Sequence, residues 1–424
     1  MPFPVPKSAA ILQIQSPERM KTPALNTLRI ETITTAFREQ LGGEPAVWCR
    51  APGRVDLMGS HTDYNLGYVL TLAIDRDTWM AARPREDRVV RLYSINLAEE
   101  TSSFELDSIS RAPGAAWSNY VRGVASVLQA EGFALKGFDA VVHSTVPMSS
   151  GLSSSAALEC ATATVFESVS GFTLDPVEKA RLCQRAENQF VGVNCGILDQ
   201  YTSCCGQAGC ALLLDCRDLS SQAVPLAEGI RVVICDTKFK RELAGSEYGQ
   251  RRAQCEQGAR LLGIKALREV SLDQFNAREK ELPAKVARRC RFIVEENDRV
   301  LRMAKALTAG DEAAIRTLTA ASFKGACELY EISAPVMVTL MEAMLQAPGV
   351  IGARQAGAGF GGCMVAFVRA DTVEAFSQSV RQAYHAQMGI TPEVYAVEAA
   401  AGAEVLNFVC GQASTLAGLD GPDR

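Results

Sequence analysis

The chain has 424 residues, 48% of them hydrophobic, and a formal net charge of −5 at pH 7. That is enough for two domains, each with its own core, and it is the composition of neither a disordered nor a fibrous protein. Mild acidity gives no long-range attraction to nucleic acid or to an anionic membrane surface. No run reaches the ~18 apolar residues of a membrane span, so the expected partners are small molecules.

The first twenty residues carry prolines and a polar "IQSPER" stretch instead of an apolar segment with a cleavage site, which argues against a signal peptide. Residues 1–25 are expected to form a loose leader, and "ALNTLRIETITTAFREQLG" has helical spacing with a stop at Gly42. From Val47 to Val142 short β-rich runs ("VWCRAP", "YVLTLAI", "TWMAARP", "VVRLYSI", "FDAVVHSTV") alternate with turn clusters and predict a sheet. Two helices should follow. The first is "SSAALECATATVFESVSG"; the second, "DPVEKARLCQRAENQFVG", offers Asp175 as N-cap, Pro176 at the first position and Gly192 beyond the end. "CALLLDC" and "IRVVICDT" read as strands, with a domain boundary near Pro225. The second half is richer in helix ("SEYGQRRAQCEQGARLLG", "PAKVARRCRFIVEENDRVLRMAKALTAG", "DTVEAFSQSVRQAYHAQMG"), with strands "GCMVAFV" and "EVYAVEA". That order predicts an α+β domain with helices on one face of an antiparallel sheet. The expected organisation is a leader over 1–25, an N-terminal domain over 26–225 and a C-terminal domain over 226–424.

Fourteen cysteines without a secretion signal fit a reduced, cytoplasmic compartment. Cys204, Cys205, Cys210 and Cys216 cluster, yet no two cysteines have C-x-x-C spacing and only three histidines are available, so buried small apolar side chains are the expectation.

Four stretches carry chemistry. "GRVDLMGSHTDYNLG", residues 53–67, packs three glycines, an arginine, a histidine and two aspartates into fifteen positions, denser than core packing needs. "VPMSSGLSSSAALECATA", residues 146–163, puts a Gly- and Ser-rich loop between an apolar strand and a helix. Free amides at a helix start, with the hydroxyls of Ser153, Ser154 and Ser155, suit a polyphosphate better than they suit a linker. The lysine of a Walker loop is missing. "AGAGFGGCMVAF", residues 356–367, is a second glycine loop that would close over the same phosphates. In "NCGILDQYTS", Asp199 is on local sequence alone as well explained as a helix N-cap, and Glu187 as a solvated surface carboxylate.

Taken together these segments resemble the GHMP family of small-molecule kinases, and its galactokinase branch in particular. The branch signature, G-R-V-N-[LI]-I-G-E-H-T-D-Y-N-x-G, is matched by Gly53, Arg54, Val55, Gly59, His61, Thr62, Asp63, Tyr64, Asn65 and Gly67. "WSNYVRG", "GLSSSAALE", "AENQFVGVNCGILDQ", "LLLDCRDL", "SEYGQRRAQCE" and "GAGFGGC" continue the likeness in family order from about Val47 to Leu406. The resemblance implies a two-domain α+β fold: an N-terminal mixed sheet with helices, a C-terminal antiparallel sheet covered by helices, and an active site in the cleft between them. It also implies a monomer that uses ATP and Mg²⁺ to phosphorylate the C1 hydroxyl of galactose or a galactose-configured sugar.

Carried over by motif, Asp199 matches the catalytic base and Arg54 the cation beside it. Gly151, Leu152, Ser153, Ser154 and Ser155 match the phosphate-binding loop, Ser155 and Glu187 the Mg²⁺ ligands, and Trp117 the aromatic that stacks on adenine. His61, Asp63, Gly196 and Tyr248 match sugar contacts, with position 60 facing C6. Ser60 departs from the pattern, which has glutamate there, and Asp56 stands for the usual asparagine. A neutral, shorter Ser60 would no longer repel a carboxylate at C6, which keeps galacturonate and L-arabinose open beside galactose. A non-catalytic galactose and ATP sensor fits less well, because the "GLSSSAA" loop, Asp199 and Arg54 are intact, and a mevalonate or homoserine type of kinase would lack the 53–67 signature.

Overall fold

The computed structural model describes residues 22–97, 100–148, 150–239 and 244–407. Met1–Lys21 of the expected leader lie outside them, and helix α1 (Thr22–Leu41) already begins inside that segment. The first domain then lays down β1 (Val47–Met58), β2 (Tyr68–Pro84), β3 (Val89–Ser94), β4 (Glu100–Glu105), α2 (Ser118–Ala130), β5 (Phe138–Ser144), α3 (Ser154–Ser170), α4 (Pro176–Arg185), α5 (Leu198–Cys205), β6 (Cys210–Asp215) and β7 (Ser220–Pro225). The sheet is mixed: β3 and β5 run parallel and the other pairs antiparallel, in the order β1-β2-β5-β3-β4, with β6 paired to the early half of β2 and β7 to β6. "YVLTLAI" and "TWMAARP", two strands by pattern, are one 17-residue strand; its pairing with β1 shifts register between Ala73 and Asp77, where Ile74, Asp75 and Arg76 bulge opposite Gly53.

Helix α3 is buried nearly all round, as expected of a helix with no polar face. It packs on β1 and β2 in a core that continues into α2, α4 and α5. Asp175 caps α4 by accepting from the amides of Val177 and Glu178, with Pro176 at the first position.

The second domain contains β8 (Ile230–Asp236), α6 (Ala244–Leu261), α7 (Leu272–Arg278), α8 (Ala284–Ala309), α9 (Glu312–Gly325), α10 (Pro335–Gln346), β9 (Val350–Gln355), β10 (Cys363–Arg369), α11 (Val373–Met388) and β11 (Glu393–Val397). Its sheet is antiparallel, in the order β11-β8-β10-β9. Helices cover both faces, not one. Val232 and Ile234 face the layer of α8 and α9, while Val233 and Cys235 face α10 and α11, which is why "VVIC" shows no polar alternation. The chain then returns: β12 (Glu404–Val405) pairs with β1, so the last described residues belong to the first sheet. One apolar cluster joins Val55 and Leu57 of β1 to Val232 and Ile234 of β8 and to Val300 and Met303 of α8, fixing one sheet against the other. Among the described residues no helix is long and apolar enough to cross a membrane. The described cysteines are unbridged and mostly buried.

Candidate active site

Strand β1 delivers Arg54 to the cleft between the domains. Gly53 is required beside it, because a Cβ there would lie 2.7 Å from the Leu152 carbonyl and 2.9 Å from Val146. The close approach lets the Arg54 amide donate to Leu152 O at 3.1 Å, and the guanidinium Nη1 to Gly151 O at 2.7 Å. Its Nε donates to Asp199 Oδ1 at 2.8 Å, and Nη2 donates to the same oxygen. Ser153 Oγ donates to Asp199 Oδ2 at 2.6 Å. Asp199 therefore sits in the first turn of α5 and caps nothing; its carboxylate binds an arginine and a serine from two other elements.

Ser153 was expected among the phosphate-binding hydroxyls, but its hydroxyl is turned to Asp199. The reason is backbone conformation: at φ 61° and ψ 50° the residue is left-handed, rare for a side chain with a Cβ. Gly151, also at positive φ, and the wholly buried Leu152 turn their carbonyls to Arg54. Ser154 and Ser155 open α3 and line a second cavity of about 230 Å³ with Trp117 and Tyr120. The buried Trp117 Nε1–H has no hydrogen-bond partner in the protein.

The larger cavity, about 520 Å³, is lined by Arg54, Asp63, Glu187, Gly196, Asp199 and Tyr248, together with Ser60 and His61. All the residues matched to sugar contacts thus meet in one place. His61 bridges the domains, with Nδ1 at 2.8 Å from Tyr64 Oη and Nε2 at 2.9 Å from the Ala358 carbonyl. Its ring lies 5.1 Å from that of Tyr248. Asp63 is pushed up to about 6, first by burial and then by the negative charge of Asp199; the amides of Tyr64 and Leu198 oppose the shift. Gly196 leaves no room for a side chain, since a Cβ would lie 1.7 Å from Asp63 Oδ2.

Glu187 is buried, not a surface carboxylate. It stands where α4 widens into a π-helical turn over Ala186–Val191. Burial, then Asp199, push it up to about 7, while bonds from Cys195, Gln200 and Ser155 pull it down. Ser155, which lines the smaller cavity, is thus a neighbour of Glu187, which lines the larger. Among the described residues no cluster of three or more His, Cys, Asp or Glu could hold a metal ion.

The sequence reading missed the Gln200 bridge and put the glycine loop over the phosphates alone. Gln200 Nε2 bridges Glu187 Oε2, at 2.5 Å, and the buried Glu159 Oε2, at 2.9 Å; its position next to Asp199 was the available signal. The glycine loop after β9 sends Gly357 and Ala358 into the larger cavity, while Cys363 N donates to Ser150 O at 3.0 Å, so the loop borders both the pocket and the phosphate-loop segment.

A cavity in the cleft of a two-domain fold, with an arginine and an aspartate paired on its wall, and a second cavity in the first domain at the start of α3, are the arrangement of a GHMP-type phosphotransferase with an alcohol acceptor. Family profiles agree: residues 119–207 match the GHMP kinase N-terminal domain, 303–386 the GHMP kinase C-terminal domain, and 35–84 the galactokinase galactose-binding signature. A galactokinase of Roseiflexus sp. (strain RS-1) is 45% identical over 371 residues, covering 86% of this chain and 94% of that protein. The crystal structure of Lactococcus lactis galactokinase complexed with galactose superposes with a TM-score of 0.85 at 35% identity, covering 90% of this chain and 100% of that one. Methanococcus jannaschii mevalonate kinase, 16% identical over 84% of this chain and 99% of its own, shares the fold alone, with a TM-score of 0.59. The chain belongs to the galactokinase family and is a sugar kinase.

Proposed function

We propose that the chain transfers the terminal phosphoryl group of ATP to the C1 hydroxyl of galactose. The observation that carries this reading is the Asp199 carboxylate, bound by Arg54 and Ser153 at the inner wall of the larger cavity and adjoining the Ser155 and Trp117 cavity. On it, the sugar occupies the larger cavity between Asp63, His61 and Tyr248. Adenine occupies the smaller one, where Trp117 supplies a ring face.

The sugar O1 attacks the γ-phosphorus, the bond from that phosphorus to the β,γ-bridging oxygen breaks, and ADP leaves. The hydroxyl proton passes to Asp199. Such transfer runs through a loose transition state, so the proton moves late, when the attacking oxygen has become acidic, and a carboxylate is a sufficient acceptor. Arg54, bonded to Asp199, stays beside the charge that builds on the equatorial oxygens.

Mg²⁺ fits the donor set. Ser155 and Glu187 offer hard oxygens where the two cavities meet, and a carboxylate pushed up to about 7 by burial and a like charge is stabilised in its ionised form by a cation. Those two residues would hold the ion, which supplies charge neutralisation on the phosphates.

The test is ADP release, by a coupled assay, from enzyme with ATP and Mg²⁺ and each of galactose, galacturonate, L-arabinose, N-acetylgalactosamine and glucose. Galactose should release ADP and yield a product phosphorylated at C1 by ³¹P NMR. ADP release stimulated by no sugar would overturn the reading.

A further inference from the structure

The wall of the larger cavity at Ser60 is built from three chain segments. Ser60 Oγ donates to Asp56 Oδ2 at 2.6 Å, and Arg354 Nη2 donates to Ser60 Oγ at 2.8 Å. Arg354 Nη1 reaches Asp56 Oδ2 at 3.2 Å and Asp56 O at 3.3 Å, and the Gly357 amide donates to Asp56 Oδ1. Asp56, Ser60 and Arg354 are each at most 2% exposed, and Asp56 and Ser60 both line the cavity.

Counting donors decides what this wall can bind. A guanidinium has five N–H groups. Here Nε goes to Ser322 Oγ at 3.2 Å, Nη1 to Asp56, and Nη2 to Ser60 and to Glu296 Oε1 at 3.3 Å, so every N–H is directed at a protein oxygen. The single Ser60 proton is directed at Asp56. What remains on the cavity side is acceptor capacity: the second lone pair of Ser60 Oγ and the carboxylate behind it. The positive charge of Arg354 is balanced by Asp56 and Glu296, the latter also ion-paired to Arg299 at 2.6 Å.

We infer that Asp56 and Ser60 together are a specificity-determining pair that accepts a hydrogen bond from a neutral hydroxyl and rejects a carboxylate. A carboxylate entering here would find no donor and would approach an existing negative charge, an arrangement that buried polar groups do not tolerate cheaply. Ser60 alone suggests a pocket that has lost its acid; Asp56 keeps one in place, one serine further back. The inference rests on the sugar-kinase reading above, in which this wall faces C6, and it selects galactose over galacturonate and over 6-deoxygalactose.

The experiment measures kcat/KM for galactose, galacturonate and 6-deoxygalactose with wild-type enzyme, Asp56→Asn and Ser60→Ala. Wild type should prefer galactose to galacturonate by at least 100-fold. Asp56→Asn removes the negative charge behind Ser60 and leaves Arg354 less compensated, so this preference should fall at least tenfold. Ser60→Ala removes the acceptor and should cut the preference for galactose over 6-deoxygalactose about tenfold. Ratios on one preparation cancel any loss of folded enzyme; if Asp56→Asn does not fold, the wild-type panel and Ser60→Ala decide. Equal use of galacturonate and galactose by wild type, or ratios within twofold of wild type in the variants, overturns the inference and leaves the kinase standing. Turnover of no sugar at all removes the reading beneath it, and the inference with it.

Discussion

Arg54 and Asp199, 145 residues apart in the chain, share one oxygen: Nε at 2.8 Å and Nη2 both donate to Asp199 Oδ1, leaving Oδ2 to Ser153. The geometry fixes the carboxylate in place without occupying all its lone pairs. Asp199→Asn keeps the shape and removes the proton acceptor. The expected result is a fall in kcat of about 10²–10⁴-fold, with the sugar KM within a few-fold of wild type. Arg54→Lys keeps a charge but cannot reach Asp199 and Gly151 O together, and should also lower kcat more than it raises KM. Steady-state kinetics with a melting curve for each variant check both. A variant that keeps full turnover would remove the base from position 199.

Gly196 tests the sugar side separately. A methyl group there would lie 1.7 Å from Asp63 Oδ2 and 2.3 Å from its Cγ, so Asp63 must move or the backbone after the π-helical turn must shift. Gly196→Ala should raise the galactose KM at least tenfold and leave the ATP KM within twofold. Titrating each substrate at saturation of the other reads this directly.

Local chemistry made much of this fold legible. Asp175, Pro176 and Gly192 mark the ends of one helical run because caps and φ preferences act within a few residues, and "FDAVVHSTV" announces β5 by β-branched density. What escaped has a local cause too. β4, "ETSSFE", is a polar edge strand whose only buried residue is Phe104, and β9, "VIGARQ", buries an arginine and a glycine where a strand pattern expects apolar side chains. α10 was hidden by its length of mixed Val, Thr and Met, which period alone does not distinguish from a buried strand. In the site, residue identities could be read from the motifs, whereas commitments could not. Ser153 is free on paper and bound to Asp199 in space, and Ser60 meets Arg354 from 294 residues away. Hydrogen-bond partners set by tertiary packing leave no trace at either position.

Trp117 separates two modes of nucleotide contact. Its ring shares a cavity with Ser154 and Ser155, and its buried Nε1–H has no partner in the protein. Trp117→Phe removes the N–H and keeps a ring; Trp117→Ala removes both. The ATP KM should rise a few-fold in the first and at least tenfold in the second, with the galactose KM unchanged in either. Equal effects in the two variants would assign the contact to the N–H alone.

Asp63 gives the ligand-free protein a measurable pH dependence. Its carboxyl is held at about 6, above the ordinary 3.8, chiefly by burial and then by the charge of Asp199. The folded state therefore binds this proton more tightly than the unfolded chain does. The resulting stabilisation is fully present below about pH 4 and is lost as pH rises through 6, by an amount on the order of 2–3 kcal/mol. Asp63→Asn cannot titrate, so the difference in Tm between wild type and variant should change in the variant's favour between pH 4.5 and pH 7.5, measured without sugar or nucleotide. The sign follows from desolvation: above pH 6 wild type must bury a second carboxylate next to Asp199, and the variant need not. A Tm difference that stays flat across that range would mean that Asp63 is already charged at pH 4.5, which is incompatible with its burial beside Asp199.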